Sequence, residues 1–207
     1  MKKDKIVVPK STLKRYPIYL KALRMLNENG VTRVLSSQLA DMTDIQATTI
    51  RRDFSFIGSL GKQGYGYDVA SVIETFNMLL GVSYQEDIII VGVGNLGKAL
   101  LNYNRWTQVV GKIVCGFDYD ENKCGMINGV PVYHLSQLKE KIPPQCRVAI
   151  VCVSHDAQIV VDQLVECGVC GIIDFSNEHI KVNKDTILKQ IDVVGAIQEI
   201  VFQANNI

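Results

Sequence analysis

Three observations together predict an α/β chain in two parts. A strand, glycine turn, helix and second strand run from Asp87 to Asp118. The front of the chain is basic and the back acidic. Strand and helix patterns then alternate to near the C-terminus, as in a parallel sheet. The expected architecture is an N-terminal winged helix-turn-helix over residues 1–80 and a Rossmann-type parallel sheet over 81–192. The last element, 193–207, is expected to be a C-terminal domain-swapped helix.

The sheet begins with Asp87-Ile-Ile-Ile-Val-Gly92-Val-Gly94-Asn95-Leu96-Gly97. An apolar, β-branched run reads as a buried strand. G-x-G-x-x-G follows at once, and a helical pattern runs on from it toward Val109-Val110. In this context the motif is a dinucleotide fingerprint. Gly92 permits the tight turn, Gly94 lets backbone approach a pyrophosphate, and Gly97 lets helix and strand pack closely. The pyrophosphate would rest on the positive end of the helix starting near Asn95. The second strand, Lys112 to Phe117, closes on Asp118, 21 positions after Gly97. A carboxylate there accepts hydrogen bonds from ribose hydroxyls and repels a 2′-phosphate, which points to NAD. Tyr119 and Asp120 follow, with no arginine to hold such a phosphate.

The overall charge of +1 hides an asymmetry: residues 1–66 carry a net +7 and residues 67–207 a net −6. A basic module of this kind suits nucleic acid. Ser11 is expected to cap a short helix from Thr12 to Arg15, and Pro17 suits the first turn of the next. Tyr19, Ala22, Leu23 and Leu26 recur at helical spacing before Gly30. Ser36 or Ser37 is expected to cap another helix, and Asp44 a further one from Ile45 to about Ile57. Two short helices across a tight turn make a helix-turn-helix. On a helical wheel, Ala47, Ile50, Phe54 and Ile57 fall on one side. Thr48, Thr49, Arg52 and Ser55 fall opposite, with Arg51 and Asp53 on the flanks. Thr48, Thr49, Arg51, Arg52 and Ser55 are therefore the candidate DNA contacts, since arginine pairs with guanine and short hydroxyls reach phosphates or bases. The glycine-rich run from Gly58 to Gly66 reads as a β-hairpin wing that presents Lys62 and the Gly64 backbone to DNA. Asp68 is expected to cap a connecting helix that stops at Gly81.

Behind Asp118, strands are expected at Gly129–Tyr133, Arg147–Val153 and Gly171–Phe175, with helices at Leu135–Lys141 and Ala157–Cys167. Ser154 and His155 follow a strand end, the edge where such sheets bind ligands. His155, a lone histidine without a carboxylate partner, reads as the rim of a cofactor site. The six cysteines all lie in the back half and are expected to be reduced and buried, which fits a cytoplasmic protein. Cys167 and Cys170 form a CxxC without the second CxxC or histidine pair of a zinc site, and Gly168 between them reads as a helix C-cap. No metal site and no catalytic residue are assigned. There is no run of transmembrane length and no signal peptide is expected. Val193, Val194, Ile197, Ile200, Val201 and Ala204 form an apolar stripe at helical spacing. That stripe either docks on its own domain or on a second copy, and a homodimer would match a palindromic operator.

The chain resembles the Rex family of redox-sensing transcriptional repressors over nearly its whole length, Val8 to Phe202. The likeness rests on Val8-Pro-Lys-Ser-Thr-Leu-Lys-Arg15-Tyr-Pro17, Ile50-Arg-Arg-Asp53-Phe-Ser-Phe, Gly61-Lys-Gln-Gly64-Tyr-Gly-Tyr-Asp68 and Val91-Gly-Val-Gly-Asn-Leu-Gly97. It continues in Leu100-Leu-Asn-Tyr103, Gly116-Phe-Asp118, Gly129-Val-Pro-Val-Tyr133 and Ile191-Asp192. The chain departs from the family at Ser154-His155-Asp156, where Pro-Ala is common, and at Asp192-Val-Val-Gly195, where a Leu-Thr type sequence is common. The resemblance implies a homodimer on an A·T-rich inverted-repeat operator of fermentative and NADH-oxidising genes. It implies DNA binding with NAD⁺ or without nucleotide, and release by NADH. It also places Tyr103 beside the nicotinamide, and makes Arg15, Tyr103 and Asp192 parts of a switch. The alternative class is a small NAD-dependent dehydrogenase, which would need an acid or base beside the nicotinamide and gives the basic front no role.

Overall fold

The computed structural model describes residues 8–58, 60–62, 64–80, 86–103 and 111–206. The chain forms two compact units, Met1–Ser83 and Tyr84–Ile207. The expected helix stop at Gly81 and the expected helical stretch at Val109-Val110 lie outside the described residues.

The front unit contains α1 (Lys10–Leu13), α2 (Tyr16–Glu28), β1 (Arg33–Val34), α3 (Ser36–Thr43), α4 (Ala47–Ser55), β2 (Gly61–Lys62), β3 (Gly66–Asp68) and α5 (Val69–Leu79). Pro17 lies in the first turn of α2, where its missing N–H leaves no bond unmade. Three expected caps differ. Pro9, not Ser11, precedes α1. Leu35 precedes α3, which begins at Ser36 itself, and the Gln38 side chain reaches back to accept from the Leu35 N–H at 2.8 Å. Asp44 ends α3 in the left-handed conformation, φ 55°, and so cannot start α4, which Gln46 precedes. Short polar residues suit both ends of a tight turn, so sequence did not separate stop from start. Asp68 caps α5 as expected, accepting from the Ser71 N–H at 2.9 Å.

Helices α2, α4 and α5 meet over an aromatic core. Phe54 lies edge-on to Tyr19 at 5.4 Å, to Phe76 at 5.4 Å and to Tyr67 at 4.8 Å between ring centroids. Tyr67 comes from the hairpin, where β2 and β3 pair antiparallel with Lys62 opposite Gly66, and β1 adds a third strand. The hairpin is thereby tied to α4 through the core.

Among the described residues, the back unit has seven strands: β4 (Glu86–Val91), β5 (Gly111–Asp118), β6 (Gly125–Ile127), β7 (Val130–His134), β8 (Val148–Val151), β9 (Gly171–Asp174) and β10 (Ile187–Gln190). Their spatial order is β10-β9-β8-β4-β5-β7-β6, parallel throughout except for β6 on β7. Leaving out the β6 hairpin, this is the 3-2-1-4-5-6 order of dinucleotide-binding sheets, with the reversal between β4 and β8. The central strand β4 is buried on both faces: Ile89 and Val91 belong to one core cluster, Ile88 and Ile90 to the other. Helices α6 (Asn95–Leu101), α7 (Leu138–Lys141) and α8 (Ala157–Glu166) accompany the strands. Gly168, φ 91°, ends α8 in a Schellman turn: its N–H bonds Val165 O, and Val169 N–H bonds Leu164 O. Strands β6 and β10 were not expected. The first pairs across an Asn128-Gly129 turn, a strong hairpin signal that sequence reading passed over.

The last helix, α9 (Val193–Ala204), has no buried residue, and its stripe of Val193, Val194, Ile197, Ile200 and Val201 is more than half exposed throughout. Docking of this stripe on its own domain is therefore not what the protomer shows. Among the described residues no helix is long and apolar enough to cross a membrane.

Candidate functional site

The loops after β4, β5 and β8 surround a cleft of about 410 Å³ at the point where strand order reverses. It is lined by Gly92, Gly94 and Asn95 from the fingerprint, Asp118 to Asp120 and Lys123 after β5, and Cys152 to His155 after β8. The glycines occupy the places their chemistry requires. Gly92 has φ 92°, and a side chain there would press on the Cys152 backbone. A Cβ on Gly97 would run into the Gly92 carbonyl oxygen. A Cβ on Gly94 would meet nothing, because it faces the open cleft. Of the proposed cofactor residues, Leu96, Gly97 and Tyr103 do not line this cleft; Gly97 is buried behind it, and the Leu96 and Tyr103 side chains are exposed.

Asp118 is buried at the end of β5. Its Oδ2 accepts from the Val93 N–H at 2.6 Å, and its Oδ1 accepts from the Asp120 N–H at 2.9 Å and from Lys123 Nζ at 3.4 Å. The carboxylate is thus fixed against the fingerprint turn, with lone-pair capacity left for a ribose hydroxyl. Sequence reading missed Lys123, which a 3₁₀ turn at Glu121–Lys123 brings back toward Asp118.

His155 is not without a carboxylate. Its Nδ1 lies 3.1 Å from Asp156 Oδ2, on the open edge of the cleft, and Asp156 takes the left-handed conformation, φ 60°. The Cys152 thiol is pushed up to about 12 by burial and then by Asp174, so it stays protonated and unreactive. All six cysteines are free, but only Cys115 and Cys146 are fully buried. Among the described residues no group of three or more His, Cys, Asp or Glu could hold a metal.

In the front unit, Thr48, Arg51, Arg52 and Ser55 of α4 are exposed, and Thr49 is half-buried. Ile50 and Phe54 are buried on the opposite side. A second cleft, about 540 Å³, lies between this helix and the wing, lined by Leu35, Ser36, Arg51, Gly61, Gly64, Gly66 and Tyr67. Arg51 Nη1 donates to Ser36 Oγ at 2.9 Å, which sets the guanidinium at its edge. The Lys62 backbone pairs in the wing; its side chain lies outside the described residues.

Asp53 is not a flanking surface residue. It is 1% exposed and accepts from Thr12 Oγ1, Arg15 Nε and Nη2, and Tyr19 Oη at 2.6–2.9 Å. Burial pushes its carboxyl up, but the bonds from Arg15, Tyr19 and Thr12 outweigh that and hold it below the usual carboxylate range. The wheel placed Asp53 on a flank because it knows nothing of α1 and α2, which cover that flank. Arg15, assigned to a switch, is therefore held by Asp53 in this protomer, while Asp192 caps α9 by accepting from the Gly195 N–H at 2.7 Å.

A winged helix with an exposed hydroxyl-and-arginine face, followed by a dinucleotide-binding sheet with an intact fingerprint, defines a nucleotide-responsive DNA-binding regulator. Residues 7–55 match the family model for a putative DNA-binding protein N-terminus, and residues 83–177 the model for a CoA binding domain. The chain is 38% identical to the redox-sensing transcriptional repressor Rex of Listeria welshimeri over all of this chain and 97% of that one. It is 39% identical to the same-named protein of Ligilactobacillus salivarius over 97% of this chain and 96% of that one. The crystal structure of RSP in complex with β-NAD⁺ and operator DNA superposes with a TM-score of 0.91 at 29% identity, covering 98% of this chain and 94% of that chain. RSP in complex with β-NADH gives 0.85 at 27%, covering 98% and 96%. The chain belongs to the Rex family of redox-sensing transcriptional repressors.

Proposed function

We propose that this chain is a cytoplasmic repressor that reads the NADH/NAD⁺ balance. It holds an A·T-rich inverted-repeat operator of fermentative and NADH-oxidising genes as a homodimer when NAD⁺-bound or empty, and NADH releases it. One observation carries this reading. The cleft at the sheet's reversal point presents a fixed Asp118 beside the fingerprint, in a chain whose solved relative is held with NAD⁺ and operator DNA. The uncovered stripe of α9 supports a second copy as its partner. The relatives are named as repressors, so the dehydrogenase reading is not favoured.

For NADH to act, it must bind the DNA-incompetent state more tightly than the competent one. Loss of the nicotinamide's positive charge is the difference to be sensed, and Tyr103, near the C-terminal end of α6, is assigned that role, with Arg15 and Asp192 passing the change on. On the DNA side, Thr48, Thr49, Arg51, Arg52 and Ser55 enter the major groove, and Lys62 and Gly64 approach the backbone.

Fluorescence anisotropy of the full chain on a labelled inverted-repeat duplex tests the DNA half. Arg52→Ala is expected to weaken binding by about 1–3 kcal/mol, roughly five- to 150-fold, and to relax discrimination at one base pair. Equal affinity of the unsubstituted chain for the inverted repeat and a scrambled duplex would remove the repressor reading.

A further inference from the structure

Asp118 is the group that sequence alone credits with choosing NAD over its 2′-phosphorylated form. The structure gives it a partner. The strand end at Asp118 runs into a turn in which the Asp120 side chain accepts from the Asn122 N–H at 3.0 Å, and this short 3₁₀ turn carries Lys123 back over the cleft. Its Nζ lies 3.4 Å from Asp118 Oδ1 and 3.9 Å from Asp120 Oδ2, and its side chain is about one-third exposed. Lys123 also lines the cleft with both carboxylates and with Gly92 and Gly94. A cation therefore stands in the cleft beside the carboxylate to which the fingerprint assigns the adenosine ribose.

We propose that Lys123 is a specificity-determining residue of the nucleotide site: together with Asp118 and Asp120 it sets the local charge that admits a free 2′-hydroxyl and rejects a 2′-phosphate. This inference rests on the nucleotide reading above. The three side chains sum to one negative charge, which repels a phosphate at close range. Asp118 also spends hydrogen-bonding capacity on its own chain, since three of about four lone-pair sites are engaged by Val93, Asp120 and Lys123. Lys123 thus moderates the carboxylate so that it binds a hydroxyl without excess negative charge. With the Asp118 charge removed, the same lysine is left as a phosphate-binding cation. The NAD preference is accordingly a balance of two residues, and the site contains a latent place for a 2′-phosphate that Asp118 masks.

The test is direct titration of the full chain with NADH and with NADPH, read by nucleotide fluorescence, for the unsubstituted protein, Lys123→Ala, Asp118→Asn and the double variant. Asp118→Asn is expected to tighten NADPH about tenfold, and adding Lys123→Ala is expected to cancel that gain, the scale of a partly exposed charge pair acting on a doubly charged ligand. With Asp118 intact, Lys123→Ala is expected to weaken NADPH further, and NADH by no more than about threefold. This single variant keeps the test decisive even if Asp118→Asn disturbs the Val93 turn. An NADH/NADPH ratio that is the same with and without Lys123 overturns the proposal while leaving the nucleotide site in place. Failure of the unsubstituted chain to bind either nucleotide overturns the nucleotide reading itself.

Discussion

Gly97→Ala is expected to lower NADH affinity about a hundredfold, because overpacking here has little room to relax and costs about 3 kcal/mol, the top of the usual range. The new methyl would collide with the Gly92 carbonyl oxygen. That oxygen cannot easily retreat, since the Gly92 N–H is held by Phe117 O at 2.8 Å. The Cys152 N–H is in turn held by Val91 O at 2.7 Å, so the fingerprint turn is locked between β4, β5 and β8. Helix α6 would have to lift away, and with it the N-terminal amides that the proposed reading sets against the pyrophosphate. NADH fluorescence titration measures the loss. The same variant should still bind operator DNA but no longer respond to NADH. Affinity for NADH within about threefold of the unsubstituted chain would mean that this turn does not hold the nucleotide.

Asp53→Ala is expected to destabilise the front unit by about 3 kcal/mol, the low end for removal of one partner from a buried ion pair, because Arg15 is partly exposed and can regain water. Tyr19 and Thr12 lose their acceptor in the same step, and Tyr16, whose hydroxyl donates to the Asp53 carbonyl at 3.0 Å, sits on the same turn. Thermal melts followed by circular dichroism would show it. The network also fixes a pH dependence. The Asp53 carboxyl is depressed in the folded chain, so the unfolded chain takes up a proton first as pH falls. Its contribution is therefore complete above about pH 4 and is lost as pH drops through the folded value. Asp53→Asn should flatten that acid limb. An unchanged limb would place the acid sensitivity elsewhere.

Much of this molecule was legible in sequence, and the reasons are local. A β-branched run followed by G-x-G-x-x-G can do little else, because glycine alone accepts the Gly92 turn and the Gly97 contact. The apolar side of α4 was legible from periodicity, since Ile50 and Phe54 are buried where the wheel put them. What sequence could not supply was tertiary. Asp53 is polar and sits on a helix flank, and only the approach of α1 and α2 makes it a buried hub. Lys123 lies beyond a turn whose reversal depends on the Asp120 side chain. The stop at Asp44 hinged on a left-handed conformation that aspartate tolerates but does not announce. Strand β10 shows no alternation because it is an edge strand with mostly exposed residues.

The central claim joins the two units: NADH, and not its phosphorylated form, controls the hold on DNA. The most direct measurement is anisotropy of a labelled A·T-rich inverted-repeat duplex bound by the full chain at fixed NAD⁺, titrated with NADH and, separately, NADPH. The complex is predicted to dissociate with NADH and to persist with NADPH. Persistence of a specific complex through saturating NADH would contradict the account, leaving a repressor without a redox switch.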